Sequence, residues 1–151
     1  MKKTKIKSYC KINLTLRVIK KLNNGYHSIK SLITFCDLYD VISISKINGP
    51  KDHISFSGKF KKGINKKSNT IVKVLNLIRK KNFFKRQMFR INIQKNIPQG
   101  SGLGGGSGNA ANLLNFFTAR MNLKLTNRKI KKIANQIGSD VLVYLKKKIH
   151  Y

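Results

Sequence analysis

The feature that most constrains the fold of this chain is a glycine-rich stretch, residues 98–111, which reads PQGSGLGGGSGNAA. It follows an alternating apolar and polar segment, residues 89–94, and it leads into a largely apolar segment, residues 107–121. The alternation predicts a strand, and the apolar segment is long enough for a buried helix. A glycine loop between a strand and a helix presents bare backbone N–H groups beside the positive end of the helix, which is an arrangement typical of phosphate binding.

The remaining pattern predicts one domain of the α+β class, with strands first and a helical layer after them. The chain has 151 residues, of which 40% are apolar, enough for a single core. Ser68 or Asn69 is predicted to cap one helix and Thr126 another. The predicted strands comprise residues 5–19, 29–35, 41–47, 53–57 and 89–97, and the apolar run 141–145 is predicted as a further strand directly after Asp140.

The charge of the chain is strongly positive, with 33 Lys and Arg against 4 Asp and Glu and a formal net charge of +29. Such a balance ordinarily favours a nucleic acid or an anionic membrane as partner. Here the basic residues occur in every segment, without a basic arm, which indicates a compositional bias. We therefore expect no specific nucleic-acid partner, only weak salt-sensitive association. With neither a secretory segment nor an apolar run of about 20 residues, we expect a cytoplasmic protein without a membrane partner.

Carboxylates are scarce, and this limits where acid–base chemistry can reside. The chain has no Glu, and its four Asp residues are Asp37, Asp40, Asp52 and Asp140. Any reaction that requires a carboxylate must use one of these four. The two cysteines are too few for a disulfide scaffold or a zinc site, and they indicate buried thiols in a reducing compartment.

Several nucleotide-binding loops are excluded by context. Residues 100–105 satisfy the spacing G-x-G-x-x-G, but a dinucleotide-binding fold needs an acidic residue about 20 positions later. No acid lies between Asp52 and Asp140. A P-loop would end in Gly-Lys-Ser or Gly-Lys-Thr, and the glycine loop of a protein kinase would lead into a strand instead of a helix. A glycine-rich surface turn without a ligand is a weaker alternative, because six glycines cost backbone entropy that a plain turn does not require.

Residues 97–111 resemble the phosphate-binding motif of the GHMP kinases. Three further stretches agree with that family in order: Lys-Ile-Asn-Leu at 11–14, Gly-Tyr-His at 25–27 and Gly-Ser-Asp-Val at 138–141. The resemblance covers essentially the whole chain. It implies that residues 1–151 form a GHMP kinase N-terminal ATP-binding domain, with a fold like domain 2 of ribosomal protein S5. The triple glycine and the Tyr-His pair resemble the branch that phosphorylates a cytidine diphosphate-linked polyol in non-mevalonate isoprenoid biosynthesis.

The resemblance also implies roles for individual residues. Lys11 and Asp140 correspond to the catalytic pair. Asp140 would orient the attacking hydroxyl or accept its proton, and Lys11 would stabilise negative charge and keep the carboxylate ionised. Asn13, Tyr26 and His27 correspond to the substrate-binding residues, with the Tyr26 ring stacking on the base and His27 hydrogen bonding to it.

ATP and Mg²⁺ are the cofactors that the resemblance implies, and a small-molecule acceptor is the implied partner. Ser107 would contact a phosphate or the metal. The implied ATP-binding residues are Asn69, Lys95, Pro98, Gly100, Ser101, Gly102, Leu103, Gly104, Gly105, Gly106, Ser107 and Gly108.

The sequence also departs from the family. Gly108 stands where the family usually has a second serine, and Leu142 where a proline commonly follows Asp-Val. Because family members are nearly twice as long, the resemblance predicts that the C-terminal GHMP domain is absent and that the chain is a truncated copy. Two hypotheses of other classes stay open: a nucleotide-binding remnant without catalysis, and a basic RNA-binding domain of the S5-like fold. A homoserine or mevalonate-type kinase is the nearest alternative within the family.

Overall fold

The structure, a computed structural model, describes residues 2–23, 25, 27–81, 83–84, 86–121, 123 and 125–145. Within this part of the chain, four strands form one sheet in the order β1–β2–β4–β3. Strand β2 pairs antiparallel with both β1 and β4, and β3 pairs parallel with β4. The strands are β1 (Thr4–Lys21), β2 (His27–Ile47), β3 (His53–Ser57) and β4 (Met88–Gln94).

The described residues also form four helices, α1 (Thr70–Arg79), α2 (Gly105–Arg120), α3 (Asn127–Ile137) and α4 (Val141–Leu145). The predicted caps of α1 and α3 are confirmed. The Asn69 side chain accepts hydrogen bonds from the N–H groups of Ile71 and Val72, both at 3.0 Å. The Thr126 hydroxyl accepts one from Lys129 at 3.3 Å. These side chains satisfy backbone donors that the first turn of each helix leaves unpaired.

The core lies between one face of the sheet and the helices. Alternate residues of β2 and β4 face inward and are fully buried, among them Ile42, Ile44, Phe89, Ile91 and Ile93. Helix α2 is buried around most of its circumference, as its apolar sequence predicts. Burial of each large apolar side chain contributes roughly 1.5–3 kcal/mol, so this layer holds α2, and with it the glycine loop, against the sheet.

Strands β1 and β2 extend beyond the sheet as a two-stranded ribbon. Their antiparallel pairing continues as far as Lys21 opposite His27. Large apolar side chains on the ribbon, including Leu14, Leu16 and Val18, are more than half exposed. The ribbon therefore gains little from the core, and it projects from the part of the sheet that carries Lys11.

Two predictions of secondary structure are wrong, one about a strand boundary and one about the type of an element. Segments 29–35 and 41–47 belong to the single strand β2, because Cys36, Tyr39 and Asp40 also pair with β1, on the two sides of a register shift between Tyr9 and Cys10. The run 141–145 is helix α4 and not a strand. Val141 and Tyr144, three positions apart, are its buried residues, which is a helical and not an alternating pattern. The neighbours of α4 are helices α2 and α3, so it buries its apolar side by helix packing.

Candidate functional site

The glycine loop, residues 98–106, forms one wall of a cavity of about 460 Å³. It connects β4 to α2. Gly100, Gly102 and Gly104 adopt φ angles of 68°, 74° and 68°, so every second residue lies in the left-handed region. Alternation of that kind is typical of an anion-binding nest, in which successive N–H groups point toward one concave side.

The N-terminal ends of two helices meet at this cavity. Helix α2 begins at Gly105, inside the glycine loop, and Thr70 begins helix α1. The Thr70 hydroxyl donates a hydrogen bond of 2.9 Å to the carbonyl of Gly106, which ties the two helix ends together. Each end carries partial positive charge. The cavity therefore has a field that favours a polyanion such as a chain of phosphates.

An apolar wall lies in the same cavity. Phe56, Ile64 and Ile71 line it, together with the amide side chain of Asn65. Sequence reasoning missed Phe56, Ile64 and Asn65, because they lie before α1 and outside any motif. An apolar wall beside a phosphate nest suits a ligand that has a ring at one end and phosphates at the other, such as a nucleotide.

The base of the glycine loop rests on a buried carboxylate that sequence reasoning also missed. Asp40, on β2, is 0% exposed. It forms an ion pair with the ammonium of Lys95 and accepts hydrogen bonds from the N–H groups of Asn96 and Ile97, at 2.7 and 2.9 Å. Asn109 of α2 donates to it at 2.8 Å. One carboxylate thus joins β2, the start of the loop and α2.

We call Asp40, Lys95 and Asn109 the Asp40 cluster. Lys95 and Asn109 also line the cavity, and the Lys95 ammonium lies 3.3 Å from the point that a Cβ on Gly105 would occupy. Its charge is therefore close to the first turn of α2. The available sequence signal is the scarcity of acids, because Asp40 is one of only four in the chain.

Lys11 and Asp140 lie together at the edge of the cavity. The Lys11 Nζ is 3.5 Å from the Asp140 Oδ2 and donates a hydrogen bond of 3.2 Å to the Oδ1 of Asn13. Lys11 comes from β1, whereas Asp140 lies in the turn between α3 and α4 and lines the cavity. A half-exposed carboxylate held beside a buried ammonium, facing a phosphate nest, can take a proton from a hydroxyl nucleophile.

The remaining predicted residues fall into three groups. All the predicted ATP-binding residues except Leu103 and Gly108 line the cavity. The carbonyl of Leu103 accepts hydrogen bonds from the Lys11 N–H and the Tyr144 hydroxyl, and Gly108 lies against the Tyr144 ring. Asn13 contacts Lys11, and His27 lies exposed at the far end of the ribbon, opposite Lys21. Tyr26 lies outside the described residues.

The oxygen-bearing side chains that line the cavity decide whether it could bind Mg²⁺. The described residues contain no group of three His, Cys, Asp or Glu side chains that could hold a metal by themselves. Ser107, in the first turn of α2, and Asp140 both line the cavity. Mg²⁺ is commonly bound by one or two carboxylates together with phosphate oxygens and water. The residues present therefore fit a Mg²⁺ that arrives with a nucleotide.

Comparison with protein families gives one clear match. Residues 69–146 match the family described as GHMP kinases N terminal domain. The matched segment contains α1, β4, the glycine loop, α2, α3 and α4. It therefore covers more than half of the chain and includes Asp140.

Individual relatives agree along almost the whole length of the chain. It is 47% identical over 146 residues to a 4-diphosphocytidyl-2-C-methyl-D-erythritol kinase of Pelagibacter ubique, covering 97% of this chain and 51% of the relative. It is 38% identical over 144 residues to the kinase of the same name from Caldanaerobacter subterraneus subsp. tengcongensis, covering 95% and 48%. The chain thus spans about half the length of these relatives.

A solved structure agrees as well. The crystal structure of a 4-(cytidine 5'-diphospho)-2C-methyl-D-erythritol kinase superposes with a TM-score of 0.73 at 25% identity, covering 94% of this chain and 48% of that one. The predicted α+β fold of a GHMP kinase N-terminal domain is confirmed. In the described part of the chain, every helix is too short or too polar to serve as a transmembrane span.

Proposed function

Because the chain belongs to the GHMP kinase family, as its N-terminal domain, we propose that it is the ATP-binding part of a small-molecule kinase. The proposed reaction transfers the γ-phosphoryl group of ATP to the 2-hydroxyl of 4-diphosphocytidyl-2-C-methyl-D-erythritol, a step of non-mevalonate isoprenoid precursor biosynthesis. The names of the relatives support this substrate. The observation that carries the proposal is the Lys11–Asp140 pair, 3.5 Å apart, whose carboxylate lines the glycine-loop cavity.

The chemistry follows from how the cavity is arranged. Phosphoryl transfer depends mainly on positioning and charge stabilisation. The N–H groups of the glycine loop and the start of α2 would hold the phosphates, with the ring of the nucleotide against Phe56 and Ile64. Asp140 would orient the acceptor hydroxyl and take its proton, while the Lys11 ammonium would stabilise the negative charge that develops beside it. Ser107 and phosphate oxygens would hold Mg²⁺, which would supply neutralisation of the phosphate charge.

The acceptor would lie along the ribbon. Asn13 is adjacent to Lys11, and His27 follows at the far end of the same pair of strands. From Asn13 to the strand end at Lys21 the ribbon runs for roughly 25 Å, at about 3.3 Å per residue. An acceptor lying along the ribbon would direct its reactive hydroxyl toward Lys11 and its base away from the cavity. Tyr26 and His27 would contact the base.

Two measurements on the purified chain test the proposal. Calorimetry with ATP and Mg²⁺ tests nucleotide binding, and coupled ADP release with the cytidyl substrate tests transfer. The control variants are Lys11→Ala and Asp140→Ala. Turnover by the wild-type chain that exceeds the turnover of both variants supports the kinase.

Each of the other results points to one of the alternatives. Binding of ATP without turnover above the variants would instead identify a nucleotide-binding remnant. Absence of ATP binding would eliminate both the kinase and the nucleotide-binding remnant. Saturable RNA binding with a steep salt dependence would then favour the RNA-binding alternative.

A further inference from the structure

Tyr144 is a buried phenol that lies behind the glycine loop and outside the cavity. It belongs to α4, four residues after Asp140, and is 3% exposed. Its ring meets the ring of Phe35 edge to face, with centroids 5.4 Å apart. Phe35 is in turn the cross-strand partner of Lys11. The ring of Tyr144 therefore connects the helix that follows Asp140 with the strand pair that carries Lys11.

The hydroxyl of Tyr144 makes a second connection. The carbonyl oxygen of Leu103, in the glycine loop, accepts a hydrogen bond from the backbone N–H of Lys11 at 3.0 Å and another from the Tyr144 hydroxyl at 3.1 Å. Burial raises the pKa of Tyr144, so the phenol remains protonated and able to donate. At one carbonyl, three parts of the site are joined: the glycine loop, the strand of Lys11 and the helix of Asp140.

Two glycines of the loop and of α2 leave room for this ring. A Cβ on Gly104 would collide with the Tyr144 hydroxyl. A Cβ on Gly108 would lie 2.9 Å from the Tyr144 Cε1 and 3.2 Å from the hydroxyl oxygen of Ser8. Gly108 does not have a positive φ, so space and not backbone conformation requires glycine there. This accounts for Gly108 at a position where the family usually has a serine.

We propose that Tyr144 is a positioning residue that sets the Lys11–Asp140 pair relative to the glycine loop. The inference rests on the proposed function, in which the pair acts on the acceptor hydroxyl and the glycine loop holds the phosphates. The phosphates have other supports, because the Asp40 cluster and the Thr70 hydroxyl hold the loop independently. Loss of the phenol hydroxyl should therefore misplace the pair without weakening nucleotide binding.

The variant Tyr144→Phe tests this, because it keeps the ring and removes only the donor to Leu103. The control is Tyr39→Phe, which deletes a hydroxyl from a half-buried ring that packs on Tyr9 and does not line the cavity. We expect Tyr144→Phe to lower kcat by about tenfold while the ATP dissociation constant stays within twofold. Tyr39→Phe should change neither. Equal kcat in Tyr144→Phe and wild type would overturn the inference.

A second arm does not depend on catalysis. In the isotopically labelled chain, Tyr144→Phe should shift the NMR resonances of the Lys11 amide and of the Asp140 carboxyl carbon beyond their line widths. Tyr39→Phe should leave both in place. Gly108→Ala, which displaces the ring instead of deleting its hydroxyl, is an independent second variant with the same expected pattern. Unmoved Lys11 and Asp140 resonances in a folded Tyr144→Phe chain would overturn the inference, even where the wild-type chain binds no ATP and the proposed function has failed.

Discussion

The Lys11 Nζ lies 3.5 Å from the Asp140 Oδ2, and the two side chains differ sharply in exposure, at 6% and 49%. The ammonium is thus fixed within the fold, where Asn13 also engages it, while the carboxylate faces the cavity. This difference in exposure suits a catalytic base, because the Asp140 carboxylate can meet an incoming hydroxyl while the Lys11 ammonium stays in place beside it. It also allows the two contributions, charge and position, to be separated by substitution.

We expect Asp140→Asn to lower kcat by at least about 100-fold, because the amide keeps the shape of the side chain but cannot take a proton. The ATP dissociation constant should stay within about threefold, since the glycine loop and the helix ends are unchanged. Coupled ADP release and calorimetry measure the two quantities. Asp37→Asn, at an exposed carboxylate on the ribbon side of β2, is the control and should match wild type. A parallel loss of ATP affinity in Asp140→Asn would contradict a catalytic role.

Two glycines in the first turn of α2 should respond oppositely to alanine. At Gly106 a Cβ would have only an ordinary contact, 3.7 Å from the Thr70 hydroxyl oxygen. Gly106→Ala should therefore leave the free energy of unfolding unchanged or raise it by up to about 1 kcal/mol through helix propensity. Gly108→Ala should lower it by about 1–3 kcal/mol, since the methyl group would press on Tyr144. Urea denaturation of both variants measures the difference, and equal stabilities would refute the packing argument.

Asp40→Asn should lower the free energy of unfolding by about 3–5 kcal/mol, because it leaves the buried Lys95 ammonium without its countercharge. The double variant Asp40→Asn/Lys95→Met removes both charges. It should be more stable than Asp40→Asn alone, since an apolar side chain of similar size tolerates burial. Denaturant unfolding of the three chains forms the test. A double variant less stable than the single one would show that the charge of Lys95 is not what destabilises Asp40→Asn.

The stability of the chain should fall at alkaline pH in a way that depends on Tyr144. Burial raises the pKa of this phenol above its ordinary value of 10.0. Above pH 10 the unfolded chain therefore loses a proton that the folded chain retains, so this contribution to stability is complete below pH 10 and is lost as the pH rises further. Relative to Tyr144→Phe, the wild type should lose about 1 kcal/mol between pH 10 and 11, approaching about 1.4 kcal/mol per pH unit above that. Urea titrations at pH 9, 10 and 11 measure the loss, and parallel curves for the two chains would count against it.

Much of the site was already determined by local sequence. The glycine loop, the caps at Asn69 and Thr126, and the apolar helix α2 each depend on residues close together in the chain, so pattern and turn chemistry were sufficient to predict them. The pairing of Lys11 with Asp140 was a different kind of prediction. It came from the resemblance to a family, because no local pattern indicates which of four aspartates meets a lysine of the first strand.

Only the tertiary structure decided three other features. The run 141–145 has five apolar or aromatic residues, too few to distinguish a strand from a helix, and its packing against α2 and α3 made it a helix. The role of Asp40 required the register that places β2 beside β4, which a sequence does not show. The need for glycine at position 108 arises from the Tyr144 ring, which reaches it from another helix. Local propensity determines most of the elements of this chain, whereas long-range packing determines the remaining one, α4, and which side chains meet.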